Sequence, residues 1–519
     1  MKTSLIICLI SCVLFIQCPL VNAQQVTIPD KELREKQVVS EKNLLHLSLQ
    51  DCIDIAFQRN RMRAVSRESI SIAQAQHGQA LSAYWPQLKL SVTGVRMDEN
   101  PNFIFPSQPL PLGDSGRPIA EAIANAQLAK LGITPSTVGL AAFNAALNSA
   151  TAQAMNGLNS ASMPAQNIKL MDRDLLTSTL SLVYPLYTGG KISALTKQAK
   201  IGVDISKEDA RRTDLQIVRD IKQYYYGHVF AKNLHKLGLD TLERFEATEE
   251  LTENVYQHGS GKVKKTDYLR AKVMTAAIRS AIEAMKSGEE LSKSALVNTM
   301  GLPWDTKIEI ADSEIPFAPY DGVLETLVEK ANQYNPQMMQ VRLGLKAREE
   351  KITEAKSGHL PVVAFFGEAS HLDNSYSEGI MTEENKNSWR IGLSIELPLF
   401  NGFRTSKEVQ EARLRLEKLK QESMLLKEGV ALQVKNAFLQ IASSQGQVKS
   451  SQAALTAAAE NRDLNVRAYQ QELVETKDVI EAQLMEFFMH GQYLRVLYDH
   501  QSNLSDLEFI VGKTLYEGP

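Results

Sequence analysis

The chain has 519 residues, 23 % of them charged, and a formal net charge of −3. That near-balance excludes binding to nucleic acid through bulk charge, while 44 % hydrophobic residues are enough for a large folded core. Three of the four cysteines lie in the first eighteen residues, which excludes a disulfide-stapled fold.

Lys2 precedes an apolar run from Leu5 to Ile16, and Val21-Asn22-Ala23 closes it with the small-residue pattern that a signal peptidase cuts. Residues 1–23 therefore read as a secretory signal peptide and residues 24–519 as one mature domain. Cys18 raises the alternative of a lipoprotein signal, but Phe15-Ile16-Gln17 before it lacks the small residues of such a site. Once the signal is removed Cys52 is the only thiol left, and its place on an apolar helix face reads as core packing. No later stretch reaches the roughly 18 uninterrupted apolar residues of a membrane helix, so a membrane-spanning form of this chain has to be a barrel.

The mature chain says nearly the same thing twice. Leu49 to Asn60 recurs in pattern as Leu324 to Asn335, with Ala56/Ala331, Asn60/Asn335 and Pro86/Pro361 each 275 positions apart. Tyr184-Pro185-Leu186-Tyr187-Thr188-Gly189 recurs as Leu397-Pro398-Leu399-Phe400-Asn401-Gly402 at an offset of 213, which is 62 less. The first copy, residues 47–302, thus carries an insert at about 101–167 that the second, residues 322–512, lacks. Two long copies point to equivalent elements meeting around an axis.

In chain order, Asn60 caps a helix running to about Tyr84, and Pro86 stops it. A strand follows at Leu88, Leu90 and Val92. Within the insert, Pro118 and Gly132 bracket a short helix over Ile119–Leu131, and an Ala-rich stretch after Ser136 predicts a second. Leu176 to Leu186 alternates as a strand. Lys191 to Gln257 contains no proline and keeps Val218, Ile221, Tyr225 and Val229 on one face, so it reads as a single helix of about 100 Å. Asp267 to Met300 is helical again. The second copy repeats the series: Asn335 and Pro336 open a helix to about His359, Val362–Ser370 and Trp389–Leu399 are strands, and Thr405–Gln470 and Asp478–Gly512 are helices. In each copy the two shorter helices together approach the length of the long one and, stacked end to end, can lie antiparallel along it. The strands suit either a small sheet on a soluble helical body or a membrane sheet pooled with other chains, because four strands hide no edges of their own.

The duplicated order of these motifs, from the Ala56/Asn60 helix and its Ala331/Asn335 repeat to the Pro-Leu-x-x-Gly turn and the long helix, resembles the TolC family of outer-membrane efflux channels over essentially the whole mature chain. The resemblance implies a mainly α fold with transmembrane β: a homotrimer whose four strands per chain make a twelve-stranded barrel in the cell outer membrane, continued by a long α-helical barrel through the periplasm. It also implies passive export in a tripartite efflux or type I secretion system, with a periplasmic adaptor (membrane fusion) protein and an inner-membrane RND or ABC transporter as partners. Residues 29–48, 304–323 and the tail after Gly512 resemble the family's equatorial belt. Pro185, Gly189, Gly190, Pro398 and Gly402 mark the strand-to-helix turns.

By the same resemblance Tyr469, Asp478 and Glu481 match the periplasmic gate tyrosine and its two acidic positions, with Tyr256 and Asp267 their counterparts in the first copy. In a threefold tube each carboxylate becomes a ring of three that concentrates cations. Val474 stands where a gate arginine is common. The first-copy turn is longer by two residues and basic, so Lys262, Lys264 and Lys265 facing Glu472 and Glu475 read as candidate gate ion pairs.

No catalytic constellation stands out. Gly259-Ser260-Gly261-Lys262 is followed by Val263 where a phosphate-binding loop needs Ser or Thr, and His228 and His235 have no ligand in register, so neither a metal nor a cofactor is expected. The alternative to a channel is a soluble periplasmic adaptor or scaffold, which carries one long hairpin flanked by sandwich-like strands rather than two equivalent hairpins. Cargo is not legible.

Overall fold

The structure, a computed structural model, describes residues 45–110, 112–258, 263–374, 386–471 and 473–514. The expected signal peptide, belt residues 29–44, Lys262 and Glu472 lie outside the described residues. In chain order the principal elements are β1 (Leu45–Leu47), α1 (Leu49–Arg59), α2 (Arg61–Ser82), β2 (Gln87–Arg96), β3 (Asn102–Phe105), β4 (Gln108–Pro109), α3 (Arg117–Lys130), α4 (Pro135–Val138), α5 (Leu140–Asn159), β5 (Ser162–Met163), β6 (Gln166–Lys169), β7 (Asp174–Tyr187), α6 (Lys191–Gln257) and α7 (Lys265–Thr299). They continue with β8 (Ile308–Ile310), α8 (Leu324–Tyr334), α9 (Pro336–Ser357), β9 (Val362–Asn374), β10 (Asn387–Glu396), α10 (Arg404–Gln470) and α11 (Thr476–Val511). The two proline-free stretches are single helices of 67 residues each. Helices α2 and α9 stop two residues earlier than expected. The residues before Pro86 and Pro361 are disfavoured in the α conformation, and the chain finishes instead on i+3 bonds such as Trp85 N–H to Ser82 O and Leu360 N–H to Ser357 O.

The residues divide into two compact units. One gathers the chain up to Ser71, Ile205–Arg342 and the chain from Gln421. Within it α6 has α7 on one side and α11 on the other, both antiparallel to it. His235 meets Glu289 at 2.6 Å and Arg279 meets Glu246 at 2.8 Å along the first contact. Gln223 meets Asp506 at 3.0 Å and Arg244 meets Glu486 at 2.6 Å along the second. Helix α10 lies against α11 through Ser444 and His500. Ile217, Ile221, Tyr225 and Val229, at helical spacing on α6, are buried with Leu296 and Val297 of α7, with Met300 that caps it, and with Leu47, Ile308 and Ile310 of the strands. Cys52 sits in this core and burial pushes its thiol up to about 12, so it is inert packing. Val430, Val434, Ala437 and Ile441 of α10 bury against Leu327 and Ala331 of α8 and Leu504 and Leu507 of α11.

The duplication shows in atomic detail here. Asn60 Oδ1 accepts from Met62 N–H at 2.7 Å while its amide donates to Thr299 O at 2.7 Å. Asn335 Oδ1 accepts from Gln337 N–H at 2.9 Å and its amide donates to Ile510 O at 2.8 Å. Each asparagine therefore caps one helix and ties down the end of another. Gly301 and Gly512 follow those ends at φ 74° and 81°, and a Cβ on either would collide with the backbone of Arg59 or Tyr334. The parallel pairing of β1 with β8 was not expected, because three residues per strand leave no alternation to read.

Burial gives this unit a pH dependence. It lowers the His228, His490 and His500 imidazoles from the ordinary 6.5. The unfolded chain takes up these protons first as pH falls, so the stabilisation is complete above 6.5 and is lost as pH falls through the lower folded values. Thermal melts should show the helical unit less stable at pH 5.5 than at 7.5, and His490→Gln should flatten that slope.

The other unit gathers Ile72–Asp204 and Leu343–Lys420. Its four-stranded antiparallel sheet runs in the order β10-β9-β7-β2, built from the expected four strands. The insert continues the β2/β7 hairpin as a ribbon: β3 pairs with β6 and β4 with β5, before α3 and α5 pack at its end. Two helices were expected there; the structure adds the single turn α4 between them and the two short ladders.

Candidate functional site

The sheet has two chemically distinct faces. The ladders put Leu88 opposite Leu182, Leu90 opposite Leu180, Tyr184 opposite Phe365, and Phe365 opposite Leu393. This face continues along β10 through Trp389, Ile391 and Ile395, with Trp389 76 % and Leu393 64 % exposed. The opposite face pairs Lys89 with Ser181, Ser91 with Thr179 and Thr93 with Thr177, and carries an Arg390–Glu368 ion pair at 2.5 Å. The Phe366 ring lies over Gly392 and fills its missing side chain. Water cannot cover an apolar face of this extent cheaply, whereas lipid can. At 10 residues each, β2 and β10 are long enough to cross a bilayer as tilted strands. Both are outer strands of the sheet.

At the strand-to-helix turns, Gly189, Gly190 and Gly402 have φ of 62°, 85° and 66°. Phe403 stands where the first copy has Gly190 and adopts φ 65°, a conformation costing a non-glycine residue about 1 kcal/mol or more. Pro185 sits at an irregularity in the β7/β9 ladder, which lets the strand leave the sheet. Pro398 follows the end of β10.

In the helical unit, the gate candidates gather at the tips of the two hairpins. Tyr469 Oη lies 3.0 Å from Thr252 Oγ1 and 2.9 Å from Thr476 Oγ1, so one phenol joins α6, α10 and α11. Asp267 and Asp478 hold equivalent positions, each accepting from a backbone N–H three residues back: Lys264 at 3.1 Å and Glu475 at 3.0 Å. Tyr256 stacks on Tyr268 with ring centres 6.2 Å apart. Glu481 is exposed and meets Lys477 at 3.6 Å. Among the described residues no ion pair joins Lys264 or Lys265 to Glu475; Asp267 and Asp478 each bond within their own helix cap. Leu251, Val255, Val263, Tyr469, Leu473 and Val474 line a cleft of about 800 Å³ at these tips.

A buried three-membered charge cluster, missed by the sequence reading, lies deeper on α11. Glu486, with only 8 % of its side chain exposed, accepts from Arg244 of α6 and Arg462 of α10, both at 2.6 Å. Arg462 also holds Asp463 at 2.7 Å. One turn nearer the tip, Gln483 donates to Thr248 Oγ1 at 3.1 Å. The signal was present in the sequence: Gln483 and Glu486 occupy the apolar face that Val479 and Ile480 begin, where a carboxylate needs a cationic partner. His228 and His235 do not converge on a site, since they meet Ser292 at 3.1 Å and Glu289 at 2.6 Å respectively.

Comparison with known proteins agrees with this geometry. The model of the outer membrane efflux protein family matches residues 120–301 and 327–513. Outer membrane protein TolC of Vibrio cholerae is 22 % identical over 65 % of this chain and 74 % of its own length. Alkaline protease secretion protein AprF of Pseudomonas aeruginosa is 22 % identical over 48 % of this chain and 51 % of its own. A crystal structure of CusC superimposes with a TM-score of 0.65 at 16 % identity, covering 91 % of this chain and 94 % of that one.

Proposed function

Since this chain belongs to the outer membrane efflux protein family and is an outer-membrane exit channel extending into the periplasm, we propose that it works as a homotrimer whose three sheets close into one twelve-stranded barrel. The observation that carries this is the two-faced sheet with outer strands β2 and β10. In lipid an open edge leaves backbone groups unpaired at several kcal/mol each, so the edges have to meet those of other chains. Channels of this kind generally work with a periplasmic adaptor and an inner-membrane pump, and we assign those two partners here. Cargo choice belongs to the transporter. The family is one of channels rather than enzymes, and a soluble adaptor has no use for a bare apolar sheet face.

The periplasmic gate in this reading is the hairpin tip. Tyr469 is its hydroxyl latch, Asp478 and Glu481 its acidic rings, and Tyr256 and Asp267 the first-copy supports. Lys264 and Lys265 supply positive charge at the same tips and make no ion pair with Glu475 among the described residues; Lys262 and Glu472 are assigned to the same set of gate charges. Asp478 gives one oxygen to its helix cap, while Glu481 is held, among the described residues, only by an exposed pair with Lys477. In planar bilayers, trivalent cations should block the single-channel current of the native protein. Asp478→Asn with Glu481→Gln should weaken that block about tenfold or more, as lost charge–charge attraction dictates. Unchanged block would put these carboxylates away from the constriction.

A further inference from the structure

We infer that the insert carries a second inter-subunit surface, on which a neighbouring copy of this chain packs beyond the membrane sheet. Strand β3 is the core of that surface. Its Phe103, Ile104 and Phe105 are all at least half exposed, and Phe103 and Phe105 meet edge to face at 4.6 Å. Ile119 and Ile123 form a second exposed apolar pair one helical turn apart on α3, away from the Ala120, Ala124 and Leu128 face that is buried. Residues 101–167 contain four charged side chains, Asp114, Arg117, Glu121 and Lys130, in a chain that is 23 % charged overall. An apolar edge strand on so lightly charged a segment is a pairing surface unless something covers it.

The topology identifies what covers it. Met97 N–H donates to Arg173 O and Leu170 N–H to Pro101 O, both at 2.8 Å, so two backbone bonds carry the hairpin from the β2/β7 ladder across a bent break, residues 97–101 against 170–173, to the separate two-stranded β3/β6 sheet. Strand β3 therefore follows β2 on the same arm of one hairpin, with its paired side toward β6 as β2 has its own toward β7, so its unpaired edge lies on the β2 side of the ribbon. The occupant of the β2 edge in the proposed trimer is the next subunit, and that subunit reaches β3 by continuing along the edge. This inference rests on the trimer reading and adds to it a contact made by a segment that the second copy of the repeat lacks.

The test is subunit exchange between two differently tagged populations of the full-length protein in mild detergent, followed by native mass spectrometry. Two variants are compared with the native chain: one with Asn102–Gln166 replaced by a short Gly-Ser link, and one with Phe103→Ser, Ile104→Ser and Phe105→Ser. Exchange should speed up about tenfold or more in both, since interface changes act mainly on dissociation. Native exchange rates in the triple-serine trimer would overturn the inference, and a native protein that is monomeric would overturn the trimer reading instead. If the deletion variant does not assemble, a nitroxide on Ile104→Cys, in a Cys52→Ala background, decides the matter in reconstituted vesicles. An immobilised spectrum shielded from both oxygen and a water-soluble nickel chelate supports packing against a second copy. Strong access to oxygen would mean that lipid covers the strand, strong access to nickel would mean water, and either would overturn the inference.

Discussion

Glu486→Ala should destabilise the helical unit by about 3 kcal/mol, read as earlier loss of helical signal on heating or in denaturant. The change leaves Arg462, 16 % exposed, facing a gap with only Asp463 to hold it, and strands Arg244 as well. The expected cost sits at the low end of the range for a broken buried pair because Arg244 is 37 % exposed and recovers water. Replacing all three members by apolar residues, Arg244→Leu, Arg462→Met and Glu486→Leu, should restore most of the stability, since no uncompensated charge then remains. The two variants should differ at the channel level too. Glu486 ties α11 to both α6 and α10, and with the tie cut the resting conductance should rise. If Glu486→Ala melts like the native protein, the triad is not a structural clasp.

A charge on the apolar face of the sheet should have the other large effect. Leu393 is 64 % exposed, sits near the middle of β10, and lies opposite Phe365. Leu393→Arg puts a cation at mid-strand in hydrocarbon, at about 2–4 kcal/mol per copy, so the folded protein recovered from outer membranes should fall severalfold. Ser394→Arg, one residue on, points to the opposite face, the one that carries the Arg390–Glu368 pair, and should leave yield nearly unchanged. Equal loss for both would mean that neither face meets lipid. Alternation in β10 thus becomes a measurement of which face is which.

Much of this was legible in the residues because it depends on periodicity. The absence of proline from Lys191 to Gln257 and from Thr405 to Gln470 marked both long helices to within a residue, and alternation at Trp389, Ile391, Leu393 and Ile395 marked a strand and its apolar face. Asn60 and Asn335 were readable as caps from their place before a helix. Their second bonds, to Thr299 O and Ile510 O, were not, since nothing local says which distant carbonyl an amide will find. The same limit hid the Arg244–Glu486–Arg462 clasp, whose members are up to 242 positions apart. At the tips, Asp267 and Asp478 each bond a backbone N–H within their own turn, while Lys262 and Glu472, two members of the expected ion pairs, lie outside the described residues. The ribbon at the base of the insert escaped notice because two- and four-residue strands carry too little alternation to register.

The central claim is that three copies of this sheet close one another's edges, and the mass of the assembly extracted from outer membranes in mild detergent tests it most directly. Native mass spectrometry should give three chains per particle, and the same particles should conduct ions in a planar bilayer. A single chain per particle, recovered from the soluble periplasmic fraction and silent in bilayers, would contradict it.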